Sequence, residues 1–225
     1  MGQLRPAPSA IFADRRSAVA TGAIQTARAA GSPSEKDSDM PIIDVRYQAG
    51  GLDAAAKAKL ATLLTEVLIR MEGGADTHGG RAFGWVLFSE LPHGDWWVGG
   101  ATDGSFVSPP GRFLVHVTIP EGYMNQAHKS EVHGWVNDAI LAVTGATGKA
   151  GAGASILVVI NEVPEGNWGC AGRSISLESI ADSVGLPKTS ERFAWVQSYF
   201  AAKSRMLTVS AYPKDLGGLP PSQAR

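Results

Sequence analysis

Two stretches decide the fold: Ser89-Glu90-Leu91-Pro92-His93-Gly94-Asp95-Trp96-Trp97-Val98-Gly99-Gly100 and Asn161-Glu162-Val163-Pro164-Glu165-Gly166-Asn167-Trp168-Gly169-Cys170-Ala171-Gly172. The second repeats the first at an offset of 72, and the register holds without a gap back towards Val45, which meets Val117. Gly50 meets Gly122, Ala55 meets Ala127, Lys57 meets Lys129 and Gly73 meets Gly145. Gly79, Ala82 and Val86 meet Gly151, Ala154 and Val158. A single register kept through Trp, Pro and Gly positions marks two copies of one supersecondary unit.

Each copy predicts the same elements. Ile42 to Tyr47 and Phe113 to Ile119 are apolar and β-branched, as buried strands are. Gly50-Gly51 and Pro120-Glu121-Gly122 break them. Leu60, Leu63, Leu64, Val67, Leu68 and Met71 then recur at helical spacing, as do Val132, Trp135, Val136, Ala139, Ile140 and Val143. Asp53 and Asn125 are the expected N-caps, with Gly73 and Gly145 as left-handed helix ends. Phe83 to Phe88 and Ser155 to Ile160 supply the second strands.

A strand–helix–strand crossover makes its two strands parallel. The fold class expected is therefore α/β (α+β): a tandem β-α-β repeat forming a four-stranded mixed sheet with both helices on one face. Its other face also reads as apolar, so a partner is expected there, and a homo-oligomer provides one. The units span residues 41–112 and 113–186 of a domain at 40–186. Beyond it, 187–225 is expected to form a C-terminal helical arm: Ser190 caps a helix to about Arg205, and the stripe of Phe193, Trp195, Val196, Tyr199, Phe200 and Met206 is expected to pack on its own or a neighbouring subunit, before a frayed end at Pro220-Pro221.

The first 39 residues differ in kind. They are rich in Ala, Ser, Arg and Pro, with Phe12 as their one aromatic, and read as a disordered leader. At Met40-Pro41-Ile42-Ile43 the text becomes an initiator-like Met followed at once by a strand. Glu35-Lys36-Asp37 can be encoded as a purine-rich ribosome-binding sequence just upstream, so translation is expected to begin at Met40 rather than Met1.

Composition narrows the function. With 20 basic and 21 acidic residues, net charge gives no argument for nucleic acid or an anionic membrane as partner. A lone cysteine, Cys170, excludes a disulfide framework and a multi-Cys metal site. The five histidines lack helix-face ligand spacing, so no metal is expected. No apolar run reaches the length of a membrane span, and a soluble, cytoplasmic protein without cofactor is the expectation.

A strand opening with Met-Pro, then helix, strand and a Gly-rich aromatic turn, resembles the tautomerase superfamily typified by 4-oxalocrotonate tautomerase. The tandem arrangement is similar to its fused members, including cis-3-chloroacrylic acid dehalogenase and malonate semialdehyde decarboxylase. The resemblance covers about 41–186. It implies a trimer of fused units and a catalytic N-terminal proline, which Pro41 matches. A free proline nitrogen is a secondary amine, and an apolar pocket disfavours its charged form, so it can move a proton near neutral pH. Phe113 stands at the equivalent place in the second unit, so one such site per chain is implied. If Met1 is the true first residue, the Pro41 nitrogen is a tertiary amide without basicity.

The chain departs from the family pattern where substrate carboxylates are held. The positions of the smaller tautomerase's arginines carry Gly51, Trp85, Tyr123 and Leu157. Those of the dehalogenase's arginines carry Pro120 and Tyr123, and its water-activating pair falls at Val159 and Cys170, which makes hydration-type dehalogenation unexpected. Arg81, Arg112 and Arg173 are the candidates to bind a small carboxylic acid substrate, each with a surface ion pair as its ordinary alternative. Trp96 and Trp168 fall where a pocket aromatic is implied, one to line the site and one to pack, and Tyr123 is a candidate hydrogen-bond donor to a substrate oxygen. The implied activity is tautomerisation of a small oxo or enol acid. The alternatives are a decarboxylase or hydratase of the same superfamily, or a non-catalytic oligomeric binding protein that keeps the fold.

Overall fold

The computed structural model describes residues 41–71, 73, 76–183, 187–214 and 216–223. The leader, the start at Met40 and the boundary at 186 lie outside the described residues. The elements run β1 (Ile42–Gln48), α1 (Ala54–Met71), α2 (His78–Phe83), β2 (Trp85–Leu91), β3 (Phe113–Pro120), α3 (Gln126–Thr144), β4 (Ile156–Val163), a small hairpin β5 (Gly169–Cys170) and β6 (Arg173–Ser174), then α4 (Leu177–Ser183) and α5 (Glu191–Val209).

The four long strands form one sheet in the order β2-β1-β3-β4. β1 pairs parallel with β2, β3 parallel with β4, and the two units meet antiparallel across β1 and β3. This is the mixed sheet that the repeat predicts. Alternation puts Ile43, Val45 and Tyr47 of β1, and Phe113, Val115, Val117 and Ile119 of β3, on one buried face. Against that face pack Leu60, Leu64, Val67, Leu68 and Met71 from α1, with Val132, Val136 and Ile140 from α3. Each such side chain, fully buried, contributes about 1.5–3 kcal/mol, so the two helical stripes fix the layer.

Both N-caps and the end of α3 form as expected, while Gly73, at φ +109°, is not in the left-handed helical conformation. Asp53 Oδ1 accepts from the Ala56 amide at 2.7 Å, and Asn125 Oδ1 from His128 at 2.9 Å. Gly145 closes α3 at φ +62°. The second strand of unit one begins later than its sequence suggests, because Phe83 belongs to the short helix α2, capped by the Thr77 hydroxyl.

The sheet's other face is not uniformly apolar. Its edge strands expose Trp85, Leu87, Leu157 and Val159. Its central strands carry the Asp44–Arg46 ion pair at 3.2 Å and His116, hydrogen-bonded to Asn161 at 3.1 Å. The apolar expectation fails at the centre because the two strands shared by the units alternate hydrophobic residues with polar ones.

After β4 the arm folds back on its own chain. Ser190 caps α5 by accepting from the Phe193 amide at 3.2 Å. Val196 and Phe200 join the main core together with Leu177, Ile180 and Ala181 of α4, a helix the sequence pattern does not foresee. Pro220, expected to be frayed, is buried against this layer.

Candidate functional site at the head of the central strand

Register places the sequence candidates at two ends of the sheet. Ile42 of β1 stands opposite Thr118, so Pro41, one residue earlier, is level with the last residues of β3. Pro41 is buried, and its carbonyl accepts from the Trp85 amide at 3.2 Å, which ties the head of β1 to β2. By alternation Pro41 falls on the helix-covered side, as Ile43 does. The carboxyl ends of β3 and β4 and the C-terminal end of α1 come to this same end.

Tyr123 lies here too, in the turn between β3 and α3, and is 2% exposed. It does not stand open to solvent. Its ring lies under the Arg192 guanidinium, 5.6 Å from carbon to centroid, and lines a cavity of about 50 Å³ with Leu177, Val196, Phe200 and Pro220. Arg192 also donates to the Met71 carbonyl at the end of α1. His128, in the first turn of α3, has its pKa lowered by burial and then by the Arg192 charge, so its neutral form is favoured. Neither Arg192 nor His128 is a sequence candidate. The signal that would have found them is the arm folding back onto the head of the sheet, which no local pattern encodes.

Arg81 reaches this end on α2 but is committed. It grips Asp76 with both nitrogens, Nε to Oδ1 at 2.6 Å and an Nη to Oδ2 at 2.9 Å, and this bond lowers the Asp76 pKa. Arg173 sits exposed on β6, in the hairpin that follows β4, where its backbone pairs with Cys170 and its side chain makes no hydrogen bond or ion pair among the described residues. Trp168, partly buried just before that hairpin, has an indole nitrogen without a partner among the described residues.

Arg112 and Trp96 lie at the opposite end, where β1 finishes and β3 starts, about 25 Å away along eight strand residues. Arg112 is 4% exposed. It donates to Gln48 Oε1 at 2.6 Å, to the Thr102 carbonyl at 2.7 Å and to the Asp103 carbonyl, pinning the 99–112 loop to β1. The structure thus brings Pro41, Tyr123, Arg81, Trp168 and Arg173 to one end of the sheet and separates Arg112 and Trp96 from them. Among the described residues no group of three or more His, Cys, Asp or Glu side chains could hold a metal ion, and no helix is long and apolar enough to cross a membrane.

No family model and no curated protein matches this chain. Among solved structures it is similar to native fused 4-OT, at 23% identity over 60% of this chain and 95% of that one, with a TM-score of 0.49. It is similar to N1, a member of the cis-3-chloroacrylic acid dehalogenase family, at 20% identity over 76% and 99%, TM-score 0.48. It is also similar to macrophage migration inhibitory factor of Toxoplasma gondii, at 12% identity over 60% and 100%, TM-score 0.46. These are likenesses of fold. Strand order and strand senses show two fused β-α-β units sharing one mixed sheet, the architecture implied by the resemblance to the tautomerase superfamily.

Proposed function

We propose that the chain, with Pro41 as its first residue, is a cofactor-independent tautomerase of a small oxo or enol acid. The observation that carries this reading is the burial of Pro41 at the head of the central strand, beside an apolar strand end. A ring amine freed there loses hydration, its cationic form is disfavoured, and it can take a proton from one carbon and return it to another. Arg173 supports the reading as the cation, because at this end of the sheet it is exposed and uncommitted while Arg81 is held by Asp76. A planar guanidinium binds a carboxylate through two parallel hydrogen bonds. The half-apolar open face of the sheet supports a homo-oligomer, with a trimer as the working stoichiometry. The cytoplasm is the location that goes with this reading.

The test compares protein that starts at Pro41 with the full chain and with Pro41→Ala, following ketonisation of a generic enol such as phenylenolpyruvate. Only the first should turn over, with the others slower by roughly 10²–10⁴. Equal rates in all three would refute the proposal. A second reading, a non-catalytic oligomeric binding protein, is favoured by the fixed roles of Arg81 and Arg112. It predicts no turnover even with a free proline.

A further inference from the structure

Helix α5 has two apolar faces, and the fold uses one. Val196, Phe200 and Leu207 point into the core. Trp195, Tyr199, Ala202, Met206 and Val209 follow one another at alternating spacings of four and three, the a/d pattern by which one helix packs along another. Most of this second seam is bare: Met206 is 59% exposed and Val209 is 87% exposed. Tyr199 lies at its inner margin, with its hydroxyl bonded to Glu121 at 2.6 Å. The short arm core therefore explains one stripe and the Tyr199 margin of the other, and leaves Trp195, Met206 and Val209 largely uncovered.

We propose that this seam pairs with the same seam of a second copy, α5 against α5 antiparallel about a twofold axis at Ala202. Two features favour that occupant. The small residue falls at the centre of the seam, where two backbones must approach. Antiparallel pairing about it puts Trp195 of one copy against Val209 of the other, filling bulk with a small side chain at both ends.

The area is consistent with a contact of this kind. With large side chains at about 150–250 Å² each, Trp195, Met206 and Val209 leave on the order of 350 Å² of apolar surface per copy. Twofold pairing doubles that, and the rim brings it towards the low end of specific interfaces, below about 1,200 Å² in total. Such a contact joins larger assemblies rather than standing alone. Since an isologous contact closes on itself, it joins two of the proposed trimers to each other, so the full assembly contains an even number of copies and a trimer is what remains when the seam is broken.

The test uses the full chain with Cys170→Ser, so that no native thiol remains. Ala202→Cys in that background should form an intermolecular disulfide in high yield on mild oxidation, because the two thiols face each other across the axis. Ala194→Cys, exposed on another side of α5, should not. Independently, Met206→Glu with Val209→Glu should halve the native mass measured by sedimentation and leave the circular dichroism unchanged, since both side chains are exposed. An odd-numbered wild-type assembly, an unchanged mass in the double variant, or equal cross-linking from Ala194→Cys and Ala202→Cys overturns the proposal. So does association of the seam with lipid vesicles at an unchanged native mass.

Discussion

Glu90 and Glu162, 72 positions apart, make the same fastening in the two units. Glu162 accepts from the Gly122 amide at 3.2 Å and pairs with Lys129 at 2.7 Å; Glu90 accepts from the Gly50 amide at 3.3 Å and pairs with Lys57 at 3.3 Å. Each glutamate, on the second strand, ties the turn after the first strand to the first turns of the helix. The repeated Gly, Lys and Glu are thus a structural device rather than a catalytic set. The units differ in one respect: Glu90 also accepts from the Tyr47 hydroxyl at 2.8 Å, and the residue matching Tyr47 in unit two is Ile119. Because Tyr47 is 1% exposed, Glu90→Ala takes the acceptor from a buried hydroxyl that then has only the Lys57 ammonium beside it, whereas Glu162→Ala does not. Glu90→Ala should therefore lower the melting temperature further than Glu162→Ala. Tyr47→Phe should recover most of the difference in a double-mutant cycle, and a cycle with no coupling would refute this account.

The two turn glycines predict a contrast of their own. Both adopt positive φ, Gly50 at +78° and Gly122 at +74°. A Cβ on Gly50 meets nothing within 4 Å, but one on Gly122 would lie 2.3 Å from the Tyr199 ring. Gly122→Ala combines backbone strain with overpacking and should cost about 2–4 kcal/mol. Gly50→Ala should cost about 1–2 kcal/mol from strain alone. Denaturant titrations of both variants read the difference directly, and equal losses would mean that α5 does not pack on this turn in solution.

The sheet, its strand senses, the helical layer and the caps at Asp53 and Asn125 were legible because each rests on a local period or on the repeat. Beyond the repeat, the helix α5 and its Ser190 cap were legible as well, but where that helix docks was not. The aromatic residues of 193–200 announce a buried face but not what buries it, and their contact with Tyr123 spans some seventy residues. Site residues fared the same way. Arg81 and Arg112 are indistinguishable from a free cation in sequence, since only folding brings Asp76 to one and the Thr102 and Asp103 carbonyls to the other. The position of Pro41 at the head of β1 was legible because the strand that follows it fixes its place.

Arg112 separates structure from chemistry. Its donors satisfy two loop carbonyls and Gln48 at the end of the sheet away from Pro41. A lysine keeps the charge but cannot present the fork, so part of the carbonyl set loses its partner in a buried place. Arg112→Lys should cost about 1–3 kcal/mol by denaturant titration and leave the enol turnover of the folded protein unchanged. A raised KM with unchanged stability would instead place Arg112 at the substrate.

The arm's hold on the domain should depend on pH through Glu165. This residue follows β4 and is 6% exposed; both of its carboxyl oxygens accept from the Leu177 amide, at 3.2 and 3.1 Å, and its carbonyl accepts from Gly218. Burial raises its pKa, helped by the nearby Glu178 and Glu121 charges and opposed by the Leu177 amide and Lys203. With the folded pKa above the unfolded one, its contribution to stability is fully present below the ordinary value of 4.5. It is lost as pH climbs through the raised folded value and is flat above it. Glu165→Gln keeps a carbonyl oxygen for Leu177 and cannot ionise. Melting temperatures taken from pH 4 upward should therefore fall more in the wild type than in Glu165→Gln, and parallel profiles would show that this carboxyl ionises without cost where it lies.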